Sequence, residues 1–147
     1  MIICGVELTG SDAVVCLLKL DQGQFTIPEC KVRKLTLKKN HTREDLLEFQ
    51  AAFAELMADY GVNQVAIKER MPKGKFAGGA ISFKLEAAIQ LMPDATVQIP
   101  LKITLLSPAL IKSTLSANPL PIPFADTGLK IFQETAFIVA YAGHMAK

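Results

Sequence analysis

Only three cysteines and two histidines occur in the 147 residues. Cys4, Cys16 and Cys30 are odd in number and form no Cys-x-x-Cys pair, which argues against a disulfide framework and a thiolate metal site. They read as small buried core residues of a reduced, cytoplasmic protein. His41 lies just before a helix cap and His144 near a tail, with no nucleophile beside either, so Ser/His or Cys/His catalysis is not expected. No apolar run reaches transmembrane length, and the longest, near Ala136 to Ala142, is the length of a core helix segment. The first residues lack the basic stretch and cleavage site of a secretory signal, so no membrane association is expected. Neither sign of charge dominates: a formal net charge of +2 neither requires nor excludes a nucleic-acid partner. Internal repeats and low-complexity tracts are lacking too.

What is present is the composition of a folding chain, half hydrophobic and one-fifth charged. Its length fits a single domain over residues 1–147 that buries roughly two-thirds of its unfolded surface. Residues 2–9, 13–20 and a segment within 25–37 read as three strands joined by tight turns, hence an antiparallel meander. Lys31, Arg33, Lys34, Lys38 and Lys39 make the third the most basic segment, as suits a guarded sheet edge. Thr42 with Asp45 forms a capping box for a helix ending near Gly61. A strand over Val65–Ile67 follows, then a basic, glycine-rich stretch from Arg70 to Gly79 and a helix over about 80–92. Residues 96–106 hold a strand, best from Leu101 to Leu106 and broken at Pro100. Ser107-Pro108 starts a short helix to about Ser116. A proline-rich loop to Phe124 precedes a last helix from Asp126 or Thr127 to about Ala146.

Three glutamates stand out against apolar surroundings. Glu7 interrupts the first strand. Glu69 ends the central strand, where period-two alternation groups it with Val65 and Ile67 and leaves Ala66 and Lys68 on the other face. Glu134 shares a side of the expected last helix with Ile131, Ile138 and Tyr141, a setting in which a carboxylate needs a cation or a hydrogen-bond network. The stretch after Glu69, with Arg70, Lys73 and Lys75 leading to Lys84 on the next helix, is suited to phosphate contact or to being a plain loop. It does not match the nucleotide-binding loop pattern, lacking its Gly-Lys-Ser/Thr ending.

The element order β-β-β-α-β-α-β-α-α resembles the ribonuclease H-like fold, a three-layer α/β/α architecture on a five-stranded mixed sheet. Within it the chain resembles RuvC-type resolvases, and it is also similar to a small bacterial family of that superfamily. Gly5-Val6-Glu7 is similar to the family's first-strand Gly-Ile-Asp, and Ala66-Ile67-Lys68-Glu69 to its Ala-Ile-Glu with one residue inserted before the acid. Ser82 to Ala88 resembles its Ser-x-Leu-Lys-Leu helix. Ser107-Pro108-Ala109-Leu110-Ile111-Lys112 resembles its Ala-Pro-x-x-Val-Lys, and Glu134 through His144 resembles its final acidic helix. The departures are glutamate in place of aspartate at the first and last acids, and Ile131 where a further acid is expected.

The resemblance implies a Mg²⁺- or Mn²⁺-dependent nuclease of structured nucleic acid. Glu7, Glu69 and Glu134 would be metal ligands, Lys112 would lie near the scissile phosphate, and Arg70, Lys73, Lys75 and Lys84 would grip nucleic acid. Its alternative is a non-catalytic module of the same fold that binds nucleic acid or a protein partner through a degenerate acidic site. A third reading ties the acids to Lys68, Arg70 or Lys130 as structure and places function on an oligomer surface, such as that of a homodimer.

Overall fold

A computed structural model describes residues 1–72, 79–92 and 101–146. Lys73, Lys75, most of the glycine-rich stretch and the strand extension before Pro100 lie outside these residues. The elements are β1 (Ile2–Thr9), β2 (Asp12–Asp21), β3 (Gln24–Thr26), β4 (Lys34–Thr36), α1 (Arg43–Asp59), β5 (Gln64–Lys68), α2 (Ala80–Gln90), β6 (Lys102–Leu106), α3 (Pro108–Ala117) and α4 (Glu134–Met145). The sheet runs β3-β2-β1-β5-β6, with β4 also pairing β2. β1 and β2 are antiparallel, whereas β1, β5 and β6 are parallel.

The expected third strand is two strands. β3 pairs one end of β2 through Lys19↔Thr26, and β4 pairs the other through Val14↔Lys34. Pro28 lies in the interruption and has no N–H to give to a ladder. The sheet therefore has five positions but six strands. The gap is partly closed from elsewhere: the buried Gln133 side chain donates to the Val15 carbonyl at 3.0 Å. Cys30 falls in this interruption rather than in a strand and is half-buried, while Cys4 and Cys16 are buried and all three are free. Burial pushes the Cys16 thiol up to about 12, which keeps it protonated and unreactive.

Two apolar cores lie on the two faces of the sheet. On one, Phe49, Phe53, Leu56 and Met57 of α1 and Leu85 and Ile89 of α2 pack on Cys4, Val6, Leu8, Val65 and Ile67. On the other, Ile111 of α3 and Ala136, Phe137, Val139 and Ala140 of α4 pack on Ile3, Cys16, Leu18 and Ala66. Both expected caps form. Thr42 Oγ1 accepts from the Asp45 N–H at 3.2 Å while Asp45 Oδ2 accepts from the Thr42 N–H at 2.9 Å, and Ser107 Oγ accepts from the Leu110 N–H at 3.1 Å.

The last helix starts later than its apolar pattern suggests. Asp126 belongs to a 3₁₀ turn, Gly128 takes φ +76°, and a second 3₁₀ turn over Ile131–Gln133 precedes α4. A left-handed residue cannot continue an α-helix, so the helix must restart beyond Gly128. Ile131 is consequently 88 % exposed instead of sharing a buried side with Glu134.

α4 reaches the sheet at Gly5. A Cβ there would lie 2.0 Å from the Ala136 carbonyl oxygen and 2.5 Å from the Ala140 nitrogen. Gly143 repeats the device less tightly, its would-be Cβ lying 3.0 Å from Ala66 Cβ. Since the two shortest of these approaches are to backbone atoms, no rotamer change relieves the clash. Gly5→Ala is expected to lower the unfolding free energy by at least about 3 kcal/mol in urea denaturation. A wild-type midpoint would show that α4 does not lie against β1 in this way.

Candidate functional site

The side on which each acid lies follows from what its neighbours touch. Along β1, Cys4, Val6 and Leu8 face the α1–α2 core, whereas Ile3 and Gly5 meet α4. Glu7 continues the second set and is half-buried. Along β5, Val65 and Ile67 face α1–α2 and Ala66 faces α4. Lys68 therefore follows Ala66 to the side of Glu7, and Glu69 follows Ile67 to the opposite side. The ladder holds at this point, because the Glu69 N–H donates to the Leu106 carbonyl at 2.9 Å. The next residue is tied to the α2 side as well: the Arg70 N–H donates to Glu86 Oε2 at 3.1 Å.

Glu7 and Glu134 do come together. They line one open groove of about 440 Å³ with Thr9, Asp12, Lys34, Phe132 and Thr135. Glu134 is the first residue of α4 and exposed. Its carboxylate is favoured there by the positive end of the helix dipole, with no need for a buried counter-ion. This corrects the expectation of a carboxylate enclosed by apolar helix, which depended on a longer α4. Asp12, which the sequence presents only as a turn residue, is a third acid of the groove. It accepts from Thr36 Oγ1 at 2.6 Å and pairs with Lys34 at 3.7 Å. Lys34 Nζ in turn lies 5.8 Å from the Phe132 ring centroid.

Strand register defines a row of side chains across the α4 face. Lys34 of β4 pairs with Val14, Val14 pairs with Glu7, and Lys68 pairs with Leu106. β1 and β5 align as Val6↔Ile67, so one further step places Glu7 beside Lys68. The row reads Lys34, Val14, Glu7, Lys68, Leu106. A lysine thus stands on the strand adjoining Glu7, on the side of the sheet where the expected acid, Glu69, does not project.

Of the expected ligands Glu7, Glu69 and Glu134, the groove brings together Glu7 and Glu134, and Glu69, the residue after the end of β5, does not line it. Among the described residues no set of three His, Cys, Asp or Glu side chains is arranged to hold a metal ion. The basic residues are likewise dispersed. Lys112 is exposed on α3 and does not line the groove. Lys84 is on α2, against the other face of the sheet, with Nζ 3.0 Å from His41 Nε2. Arg70 is half-buried, and its Nε has no hydrogen-bond partner among the described residues. His144 does not line the groove: Nε2 lies 2.8 Å from the Leu18 carbonyl, and the ring meets Phe25 edge-on at 5.4 Å. It closes the far end of α4 onto β2 and β3.

A mixed sheet in this order, with two helices on either face, defines a ribonuclease H-like fold. Two solved structures of RuvC from Thermus thermophilus share it. One aligns with a TM-score of 0.73 at 10 % identity, covering 99 % of this chain and 94 % of that one. The other, RuvC in complex with Holliday junction substrate, aligns with a TM-score of 0.69 at 11 % identity, covering 99 % and 93 %. No curated protein matches the chain. By its sequence the chain belongs to the family described as "Protein of unknown function (DUF3010)", whose model matches residues 1–143. Among the described residues no helix is long and apolar enough to cross a membrane.

Burial holds His144 below its ordinary value of 6.5, so it is neutral at pH 7 and donates Nε2–H to Leu18. The unfolded chain then binds the proton more readily. The stability that depends on neutral His144 is complete above pH 6.5 and is lost as pH falls through 6.5 toward the folded-state pKa. Denaturation midpoints should decline from about pH 7 to pH 5 in the wild type and stay level in His144→Gln. Asp45, held below 3.8 chiefly by the Thr42 N–H, affects only more acid conditions. An equal decline in both proteins would remove His144 as the cause.

Proposed function

We propose that this protein is a RuvC-like module that binds structured nucleic acid without metal-dependent cleavage. The observation that supports the reading is the register of β1 and β5, Val6↔Ile67, which brings Lys68 rather than Glu69 to the strand position beside Glu7. Metal-assisted phosphodiester hydrolysis needs carboxylates converging on one or two cations that activate water and stabilise the leaving oxygen. Among the described residues the acids that share this groove are Glu7, Asp12 and Glu134, and Asp12 is already engaged by Lys34 and Thr36.

Support for a nucleic-acid partner is the fold together with a few cations near the groove and elsewhere on the surface. Lys34 lines the groove, Lys68 follows Glu7 in strand register, and Arg33 and Lys112 are exposed. Lysines and arginines at such positions neutralise phosphates and displace condensed counter-ions, which gives affinity but little sequence selectivity. Shape and branching are then the features left to distinguish one nucleic acid from another.

A second reading, an active Mg²⁺- or Mn²⁺-dependent nuclease, is favoured by one specific observation: the first and last acids meet although 127 positions separate Glu7 from Glu134. One experiment separates the two. A labelled four-way junction and a duplex of the same sequence are titrated with protein, with EDTA and with Mn²⁺, and then resolved for cleavage. The module reading expects binding in EDTA that weakens steeply with salt, an affinity reduced by Lys34→Glu and Lys112→Glu, and no cleavage in Mn²⁺. Cleavage that disappears in Glu7→Gln establishes the nuclease instead. An absence of binding to either DNA at about 10 µM protein in low salt contradicts both readings.

A further inference from the structure

Two cations lie in the row of side chains that contains Glu7, and only one is committed. Lys34 is paired with Asp12 and lies over Phe132. Lys68 has no such engagement, since the ion pairs among the described residues are Lys34–Asp12 and Lys38–Asp45, and it stands next to the groove in strand register without lining it. It is half-buried at the end of β5, with its strand held on one side by β1 and on the other by β6.

We infer that Lys68 supplies the cation of the Glu7 groove and thereby takes the place that a divalent metal ion would need. Neighbouring strands are about 4.8 Å apart, and a lysine carries its charge on four flexible carbons. The ammonium therefore commands the space in front of Glu7 whether or not the pair is closed. A divalent cation ligated by Glu7 would sit within one strand spacing of this charge and be repelled by it. Gly5 and Gly143 bring α4 against β1 and β5, so the backbone positions of Glu7, Lys68 and the start of α4 are fixed by close packing.

The positions are otherwise suited to a metal. Glu7 enters from β1 and Glu134 from the start of α4, and both are unpaired with any cation among the described residues. The residue beside Glu7 on β5 decides which cation they meet. Asp12, the groove's other acid, is engaged by Lys34 and Thr36, so a carboxylate at that position would give Glu7 and Glu134 a further unengaged acid, a donor set of the kind that binds Mg²⁺ or Mn²⁺ with water completing the shell. This inference concerns the cation of the groove and stands apart from the question of whether nucleic acid binds.

Mn²⁺ binding, read from the electron paramagnetic resonance signal of the free ion, tests it. Wild-type protein is expected to show no saturable site up to about 1 mM Mn²⁺, and Lys68→Glu to bind at least about tenfold more tightly than wild type. Adding Glu7→Gln to Lys68→Glu should abolish the gain, which a carboxylate acting alone on the surface would not explain. Lys68→Gln removes the ammonium without adding a ligand and should give a smaller gain, so it tests the claim even if Lys68→Glu fails to fold. Variants that melt like wild type and bind Mn²⁺ no better overturn the inference. Micromolar binding by the wild type overturns it too, and would also count against the non-cleaving reading, whereas failure confined to the variants leaves that reading intact.

Discussion

The approach of α4 to β1 at Gly5 is the contact on which the arrangement depends. It allows helix backbone to sit where any side chain would intrude, with the Ala136 carbonyl and Ala140 amide filling the space. Dispersion contacts at such short range are numerous and tolerate little displacement. Ala136, Ala140 and Gly143 form a small-residue face along the helix that fits the small residues Gly5 and Ala66 beneath it. The N-terminus of α4 is thereby carried to the tip of β1, and Glu134 to Glu7. The same contact commits the α4 side of β5 to Ala66 and hence to Lys68.

Much of this was legible in the residues. The element order, the two caps and the resemblance to RuvC-type resolvases all followed from apolar periodicity, capping residues and short motifs, and the structural likeness to Thermus thermophilus RuvC agrees with them at the level of fold. Alternation along β5 holds where the cores show it, with Val65 and Ile67 on one side and Ala66 on the other. What alternation cannot express is which face of β5 shares a side with Glu7. That depends on how α4 packs on two neighbouring strands, and it is tertiary information. Aligning Glu69 with the acid of the family motif required an inserted residue, and one residue in a strand reverses every side chain beyond it.

Other differences have equally local causes. The third strand looked continuous because its residues suit a sheet edge, but Pro28 interrupts the ladder and the chain leaves β2 between Thr26 and Lys34. The last helix looked longer because apolar residues continue upstream of it, while Gly128 in a left-handed conformation stops it. Asp12 went unnoticed as a groove residue because Gly10-Ser11-Asp12 has a sufficient explanation as a turn. Only the pairing of β4 with β2 shows that it faces Lys34 and borders Glu7.

The account rests on the sides taken by Lys68 and Glu69 at the end of β5. Side-chain nuclear Overhauser effects in isotopically labelled protein measure this directly. Contacts from the Lys68 methylenes to Glu7, together with contacts from the Glu69 side chain to α2, are the predicted result. Contacts from the Glu69 side chain to Glu7 or to the first turn of α4 would contradict it and bring the three acids back to one side of the sheet.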